Sequence, residues 1–258
     1  PLLQFFNPVY FLHPSLKEKL PHYLALTMRP QDEIGLHIHC WESLLTKCQV
    51  SPRNEPSIAS PQGGRAIKTP LGDWGHDIPI SCFSVTEFSK MLTTSLEIFK
   101  QNGVADPCAF RAGAWAIRQD QYTVLAAHGL LLDSSPLPPE LIKNKRANDL
   151  LYNYISQFWA DPALTHFPYQ LSEGVWVYPN NGGMSDYLSA QEMIRIYQQA
   201  QKEDANVLLI YGLHQETAAK FLPRLISFLK NLEETLTNNF TSVFTTLRAA
   251  HESKLFIS

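Results

Sequence analysis

The chain has 258 residues, of which 45% are hydrophobic and 17% are charged, and its formal net charge is −3. These values are ordinary for a globular protein, and the length is enough for one large domain with a sizeable core. No basic run stands out, which argues against a nucleic-acid partner, and no apolar run approaches the roughly 18 residues of a membrane span.

The first hundred residues predict strands, helices and one long loop. Residues 9–12 are apolar and fit a buried strand, and apolar residues at helical spacing predict a helix over 14–26. A short apolar strand is predicted at 34–38. Residues 50–80 are rich in Pro, Gly, Ser and Asn without periodicity, which is typical of a long and often functional loop. An amphipathic pattern over 85–100 predicts the next helix.

The remainder of the chain continues the alternation of short apolar strands with amphipathic helices. Strands are predicted at 108–111, 130–133, 175–178 and 207–213, and helices at 118–128, 189–201 and 218–232. This order predicts a parallel α/β sheet or barrel. No linker or internal repeat divides the chain, so residues 1–258 are predicted to form a single domain.

Metal-capable side chains crowd the segment QDEIGLHIHCWE at 31–42. His37 and His39 are two residues apart on the predicted strand and therefore point to the same face. Two adjacent imidazoles at the end of a strand are a plausible beginning of a metal site, because histidine is the commonest metal ligand. They also fit an ordinary strand end whose histidines donate hydrogen bonds to neighbours.

Polar side chains also follow three later strands. Arg111, Asp133 and His214 each end a predicted strand, and in parallel α/β folds the active site lies at the carboxyl ends of the strands. Each residue has a simpler explanation, since Arg111 fits an exposed arginine, Asp133 a turn and His214 a helix cap. Their occurrence at the same end of successive strands favours a shared site.

Three segments together resemble the polysaccharide deacetylases of the carbohydrate esterase type. DEIGLHIHCWE resembles the histidine motif of this family, FRAGAW the arginine motif that forms one wall of the groove, and LIYGLHQE the late Leu-His motif. The resemblance spans roughly residues 8 to 232. It implies an α/β fold, a distorted (β/α)7 barrel, and removal of N- or O-linked acetyl groups from sugars with a divalent metal, usually zinc.

The sequence departs from the family pattern in two places. The usual histidine motif places its imidazoles four residues apart, whereas His37 and His39 are two apart, as in a family branch with a GLH-x-H-x-W form. The aspartate motif of the first strand, which supplies the catalytic base and a metal ligand, is absent, because no Asp or Glu precedes Glu18. We therefore expect the first barrel strand to lie upstream of the printed sequence.

The resemblance implies a role for each candidate residue. His214 would act as general acid, Arg111 would orient the base, and Asp133 would pair with His214 or with the substrate. The remaining assignments are metal binding by His37 and His39, with zinc as the expected metal, and substrate binding by Trp115, Leu213 and Trp41. The expected partner is an acetylated carbohydrate. The expected location is the cell envelope or the exterior if a signal lies upstream, and the cytoplasm otherwise.

Three other functions stay open at this stage. A non-catalytic barrel that binds carbohydrate or serves as a scaffold would explain the absent aspartate motif. A glycoside hydrolase would need two carboxylates about 5 to 10 Å apart, and only Asp133 stands out at a strand end. A metal-dependent amidohydrolase for small amides would share the same residues, because the loops at 50–80 and 134–190 determine the substrate.

Overall fold

The computed structural model describes residues 1–60, 66–69, 72–145, 149–203, 207–235 and 244–254. Strands and helices alternate along these residues, which confirms the predicted α/β class. The strands are β1 (Leu3–Phe6), β2 (Glu33–Ile38), β3 (Ala109–Ala112), β4 (Leu132–Asp133), β5 (Tyr169–Gln170), β6 (Trp176–Val177), β7 (Gly183–Met184) and β8 (Tyr211–Gly212). The α-helices are α1 (Pro14–Lys17), α2 (Leu20–Thr27), α3 (Glu42–Lys47), α4 (Val85–Gln101), α5 (Tyr122–Ala127), α6 (Leu150–Phe158), α7 (Ala190–Lys202), α8 (Ala218–Thr235) and α9 (Leu247–Ser253).

Most strands belong to one sheet with the order β1-β2-β3-β4-β6-β5. Strands β1, β2, β3, β4 and β6 run parallel, and β5 pairs antiparallel to β6 at one edge. Strands β7 and β8 form a separate parallel pair. Parallel neighbours need a crossover connection, and helices supply it between β1 and β2 and between β2 and β3. The carboxyl ends of the parallel strands therefore lie at the same end of the sheet.

The two faces of the large sheet carry different side chains. Register places Phe5 beside Gly35 and Gly35 beside Ala109, so these residues share one face, here called the inner face. Leu36 and Phe110 lie on the opposite, outer face, where both are fully buried. The outer face packs against α4, in which the Phe88 ring lies 5.7 Å from that of Phe110. Each such buried side chain stabilises the fold by about 1.5–3 kcal/mol.

The inner face has its own small apolar cluster. Its buried members are Ala109, Leu132, Tyr178 and Leu247. Leu247 belongs to α9, and Leu208 and Ile210 from the segment before β8 also pack here. The inner face therefore receives apolar side chains from β1, at the beginning of the chain, and from the segments before β8 and in α9, near its end.

The prediction of a strand at 9–12 is wrong. Pro8–Phe11 forms a 3₁₀ helix, and the side chain of Asn7 accepts a hydrogen bond from the backbone N–H of Val9 at 3.1 Å. Pro8 suits the first helical turn, because its φ is preset and it has no N–H to donate. The strand of this region is instead β1, which pairs with β2.

Other boundaries changed for local reasons. The helix predicted over 14–26 is divided into α1 and α2, because Pro21 lacks the N–H that a continuous helix would need there. The strand predicted at 207–213 has ladder pairing only at Tyr211–Gly212. The helix predicted over 85–100 is confirmed as α4, with Ser84 and Glu87 forming a capping box at its start. No helix among the described residues is long and apolar enough to cross a membrane.

Candidate active site

Several predicted site residues lie at the carboxyl ends of the parallel strands. His37 is registered with Arg111 across β2 and β3, His39 follows β2, and His214 follows β8. Burial is the largest cause that lowers the pKa of His37 and of His39, and the charge of His214 adds to it in both cases. The three imidazoles are therefore electrostatic neighbours, although they come from opposite ends of the chain.

His37 is anchored by a backbone carbonyl. Its Nδ1 lies 2.8 Å from the carbonyl oxygen of Arg111. A carbonyl only accepts hydrogen bonds, so Nδ1 carries the hydrogen and Nε2 keeps the lone pair. Burial, and next the charge of His39 at a ring-centroid distance of 4.7 Å, places the pKa of His37 well below its ordinary value. The ring is therefore neutral at neutral pH and presents Nε2 as an electron-pair donor.

His39 is anchored in the same way by the long loop. Its Nδ1 donates to the carbonyl oxygen of His76, and burial lowers the pKa of His39 to about 4. The loop passes directly over the end of β2 at Gly75, where an added Cβ would lie 2.5 Å from the carbonyl oxygen of Cys40. Gly75 also has a φ of 89°, which favours glycine. Close approach of this loop fixes the ring of His39.

His37 and His39 suit two ligand positions of a divalent metal site. Metal-binding imidazoles are neutral, and they usually donate the other ring N–H to a carbonyl or carboxylate. Both rings meet these conditions. A zinc site uses at least three protein ligands, and among the residues that the structure describes no three His, Cys, Asp or Glu side chains are placed to hold a metal ion. The described side chains thus provide two suitable ligands and not a complete set.

His214 is anchored by a carboxylate. Its Nδ1 lies 3.1 Å from Oδ1 of Asp186, and its backbone N–H donates to Oδ2 of Asp186 at 3.0 Å. The hydroxyl of Thr217 donates to the same carboxylate. Burial raises the pKa of Asp186, but the hydrogen bonds from His214 and Thr217 outweigh it and keep the pKa below its ordinary value. Asp186 is therefore ionised at neutral pH and holds the ring of His214 in one orientation.

Trp115 forms the wall beside His214. Its ring centroid lies 5.5 Å from that of His214 and 6.1 Å from that of Tyr187. Trp115 is 5% exposed, and its indole N–H has no acceptor among the described residues. Ala114 and Trp115 both have a positive φ, 60° and 55°, which costs about 1–2 kcal/mol per residue. Trp159 donates to the carbonyl oxygen of Trp115 at 2.6 Å and so supports this strained turn.

Arg111 lies on the inner face, which it shares with His37. Its Nε and Nη2 donate to the carbonyl oxygen and the hydroxyl of Ser134 at 2.9 and 3.0 Å. The guanidinium stacks on the ring of Phe5 at 4.2 Å, and that ring occupies the space above Gly35 that a side chain would fill. Burial lowers the pKa of Arg111 to about 10, which still leaves it charged at neutral pH.

Asp133 is not the carboxylate that pairs with His214. It is fully buried, and its carboxylate accepts from the hydroxyl of Tyr122 at 2.9 Å and from the hydroxyl and N–H of Ser135 at 2.5 and 3.1 Å. Burial raises the pKa of Asp133 to about 6 in spite of these hydrogen bonds. The carboxylate that pairs with His214 is Asp186, so the predicted pairing of Asp133 with His214 is not what the structure shows.

The two other predicted substrate contacts border the site. Trp41 is half-buried and stacks on His76, with ring centroids 4.9 Å apart and an interplanar angle of 26°. Leu213 is half-buried and directly precedes His214. Trp41 thus covers the loop that anchors His39, and Leu213 lies on the His214 side of the site.

The strand beside β2 ends without an acidic residue. Asn7 follows β1, is 3% exposed and uses its side-chain oxygen to accept from Val9. Nearby, the hydroxyl of Tyr10 donates to Glu216, which connects the turn after β1 with the segment after β8. The residue that directly follows β1 is therefore a carboxamide and not a carboxylate.

Sequence reasoning missed the residues that anchor the imidazoles. No strand was predicted before Asp186, because β7 is only two residues long and is too short to show an apolar pattern. His76 was recognised only as part of the long loop, and it acts through its backbone carbonyl. A carboxylate near the late Gly182-Gly183 turn was the only available signal for Asp186.

Comparison with known proteins finds no protein-family model and no curated sequence that matches this chain. The resemblance to polysaccharide deacetylases therefore rests on the three sequence segments. What the geometry adds is independent of that resemblance: neutral imidazoles on carbonyl anchors, and one imidazole on a carboxylate.

Proposed function

We propose that the chain is a hydrolase that removes an N- or O-linked acetyl group from a carbohydrate. The observation that carries the proposal is the 3.1 Å contact between His214 and Asp186 beside the wall formed by Trp115. A histidine held by a carboxylate is a common means of proton transfer in acyl-group hydrolysis. The polysaccharide deacetylase resemblance of the segments around His37, Arg111 and His214 supports a sugar as the carrier of the acetyl group.

His214 performs the proton transfers in this proposal. Because Asp186 holds its Nδ1–H, neutral His214 offers Nε2 to the water that attacks the acetyl carbonyl carbon, and takes its proton. The imidazolium, stabilised by Asp186, then gives that proton to the sugar nitrogen or oxygen as its bond to the carbonyl carbon breaks. Acetate and a free amine or hydroxyl result. This assignment needs no acid on β1.

His37 and His39 would hold a divalent metal, with zinc as the expected ion. Their Nε2 lone pairs are available because both Nδ1 atoms donate to carbonyls. When bound, the metal would polarise the acetyl carbonyl and lower the pKa of bound water. Further ligands would come from water, from the substrate or from side chains beyond those that the structure describes.

The substrate is proposed to lie between the segments that follow β2, β3 and β8. Trp115 and Leu213 would pack around the acetyl methyl and the sugar face, and Trp41 would extend the contact. We further propose that the strands close into the distorted (β/α)7 barrel that the resemblance implies. The contact between Tyr10 and Glu216 supports closure, since it connects the two ends of the strand series.

The direct test is acetate release from acetylated sugars by the wild type and by His214→Ala. We expect the variant to lose about 10²–10⁴-fold in rate, the usual contribution of a positioned acid-base group. His22→Ala, an exposed histidine on α2, is the matched control and should keep the wild-type rate. Equal rates for wild type and His214→Ala would remove His214 from the reaction.

A carbohydrate-binding barrel without catalysis is the second candidate. It is favoured by Asn7 at the end of β1 and by the incomplete metal-ligand set among the described residues. The same assay separates the two functions: no acetate release by the wild type with zinc present, together with measurable binding of the sugar, would select the binding protein.

A further inference from the structure

The guanidinium of Arg111 is a charged group in the site without an ion-pair partner. It is half-buried, and its hydrogen bonds go to two uncharged acceptors of Ser134. Among the described residues, no carboxylate lies within ion-pair distance of it. The charge of Asp133 acts on Arg111, but the Asp133 carboxylate accepts its hydrogen bonds from Tyr122 and Ser135 and not from the guanidinium.

Unpaired guanidinium groups are unusual in such surroundings. Removing an arginine from water is unfavourable unless an opposite charge compensates. A second arginine of this chain illustrates the ordinary solution: Arg53 stacks on Phe83 at 4.5 Å and pairs with Glu87 at 2.9 Å. Arg111 has the corresponding stack on Phe5 and lacks the corresponding carboxylate. A ligand that supplies the negative charge would complete it.

The geometry of Arg111 leaves a suitable edge for such a ligand. Ser134 takes Nε and one hydrogen of Nη2, and Phe5 covers a face of the planar group. Among the described residues, the hydrogens of Nη1 and the second hydrogen of Nη2 have no acceptor, and the end-on pair, one hydrogen from each nitrogen, forms the fork that binds a carboxylate through two parallel hydrogen bonds. His37 is the strand neighbour of Arg111 and lies on the same face of the sheet, so the guanidinium is on the side of the proposed metal-binding imidazoles.

We propose that Arg111 binds a carboxylate of the substrate, so that the substrate class is an acetylated sugar acid. The identity of the acetyl group as the reacting part rests on the proposed function, whereas recognition of the carboxylate does not. Arg111 is a binding residue in this proposal, and it sets specificity for charged over neutral sugars.

The test compares two probes that differ by one carboxylate. N-acetylmuramic acid is N-acetylglucosamine with a lactyl carboxylate, and the binding of each to the zinc-loaded protein is titrated by calorimetry or by NMR. We expect the wild type to prefer the acid by about tenfold or more, the usual effect of a charge-assisted hydrogen bond. Arg111→Met should bring the ratio close to one, and Arg111→Lys, which keeps the charge without the fork, should lie between.

Arg53→Met is the matched control, because it removes a stacked arginine outside the site and should preserve the wild-type ratio. Circular dichroism verifies that each variant is folded, and Arg111→Lys keeps the test decisive if Arg111→Met does not fold. A wild-type ratio near one, including no binding of either probe, would overturn the proposal. So would a preference that survives in both Arg111 variants.

Free acetate is the remaining arm of the experiment. If acetate displaces N-acetylmuramic acid from the wild type and binds as tightly, Arg111 receives the product carboxylate, and the proposed substrate class is wrong. If the carboxylate preference depends on Arg111 but no acetate is ever released from either sugar, this inference stands and the proposed hydrolase activity fails.

Discussion

The imidazoles of the site are anchored in two different ways. Nδ1 of His37 and of His39 donates to backbone carbonyls, whereas Nδ1 of His214 lies on the carboxylate of Asp186. A carbonyl has no net charge that could stabilise an imidazolium, and burial keeps the first two rings neutral. An ionised carboxylate does stabilise an imidazolium.

This difference assigns different chemistry to the same side chain. An imidazole that stays neutral can serve as an electron-pair donor to a metal, while an imidazole that gains and loses a proton can serve as acid and base. The acceptor on Nδ1 and the degree of burial decide between the two roles. The following experiments change one anchor or one ring at a time.

The largest effect is expected from Asp186→Asn. The carboxamide can present its NH₂ group to Nδ1 of His214 and no longer fixes the ring with Nε2 available, so we expect acetate release to fall by about 10²–10⁴-fold, as for loss of an acid-base group. Initial rates of acetate release measure this change. Asp120→Asn, which removes a carboxylate paired with Arg118 away from the imidazoles, is the control. A rate within about threefold of the wild type would show that the carboxylate anchor does not matter.

Metal binding should depend on the carbonyl-anchored rings alone. We expect His37→Ala and His39→Ala each to weaken zinc binding by at least about 100-fold, because loss of a supporting hydrogen bond alone costs 10–100-fold. His214→Ala should keep the wild-type affinity. Metal content after dialysis against a weak chelator is the measurement. Full zinc occupancy in both His37→Ala and His39→Ala would show that neither ring is a ligand. Loss of zinc in His214→Ala would show that metal binding is not confined to the carbonyl-anchored rings.

Stability should depend on pH with opposite signs for His39 and Asp133. The pKa of His39 is lowered from 6.5 to about 4, so its neutral form stabilises the fold above pH 6.5, and this is lost as pH falls to 4. The pKa of Asp133 is raised from 3.8 to about 6, so its contribution is present below pH 4 and lost as pH rises to 6. Each amounts to at most about 3–3.5 kcal/mol.

Urea unfolding of the wild type, His39→Gln and Asp133→Asn between pH 4 and 7 measures these contributions. The unfolding free energy of His39→Gln should rise less with increasing pH than that of the wild type. The unfolding free energy of Asp133→Asn should fall less with increasing pH than that of the wild type. Parallel curves for all three proteins would contradict the buried state of both groups. His22→Gln, an exposed histidine, should leave the pH dependence unchanged.

The smallest effect is expected at the turn that presents Trp115 to His214. Ala114 has a φ of 60°, and glycine adopts this conformation without strain, so Ala114→Gly should stabilise the fold by about 1 kcal/mol. Ala116→Gly, at a φ of −113°, should not stabilise it. Thermal unfolding of both variants is the measurement. A destabilised Ala114→Gly variant would show that the turn carries no strain.

Much of the architecture was predictable from local patterns. The helices over 85–100, 189–201 and 218–232 appear in the structure as α4, α7 and α8, because apolar residues at helical spacing need one buried face. The prediction of a strand at 9–12 was wrong because an apolar run does not reveal its backbone conformation. In this segment Pro8 together with Asn7 favours a helical turn.

The candidate site was predictable in part. His37, His39, Arg111 and His214 are signalled by their positions after apolar strands, and parallel pairing brings strand ends together. Asp133 carries the same signal, but strand alternation sends its side chain to Tyr122 on the outer face. A shift of one residue along a strand changes the face, and the sequence pattern does not resolve this for a strand buried on both sides.

The sequence by itself determined the α/β class and the residues that stand at the ends of its strands, since periodicity and chain order are local properties. Only the tertiary structure decided that Asp186, 28 residues before His214, is the partner of that ring, and that backbone carbonyls of Arg111 and His76 anchor the others. The physical reason is that a hydrogen-bond partner is chosen by distance in space, and a backbone carbonyl leaves no trace in residue type.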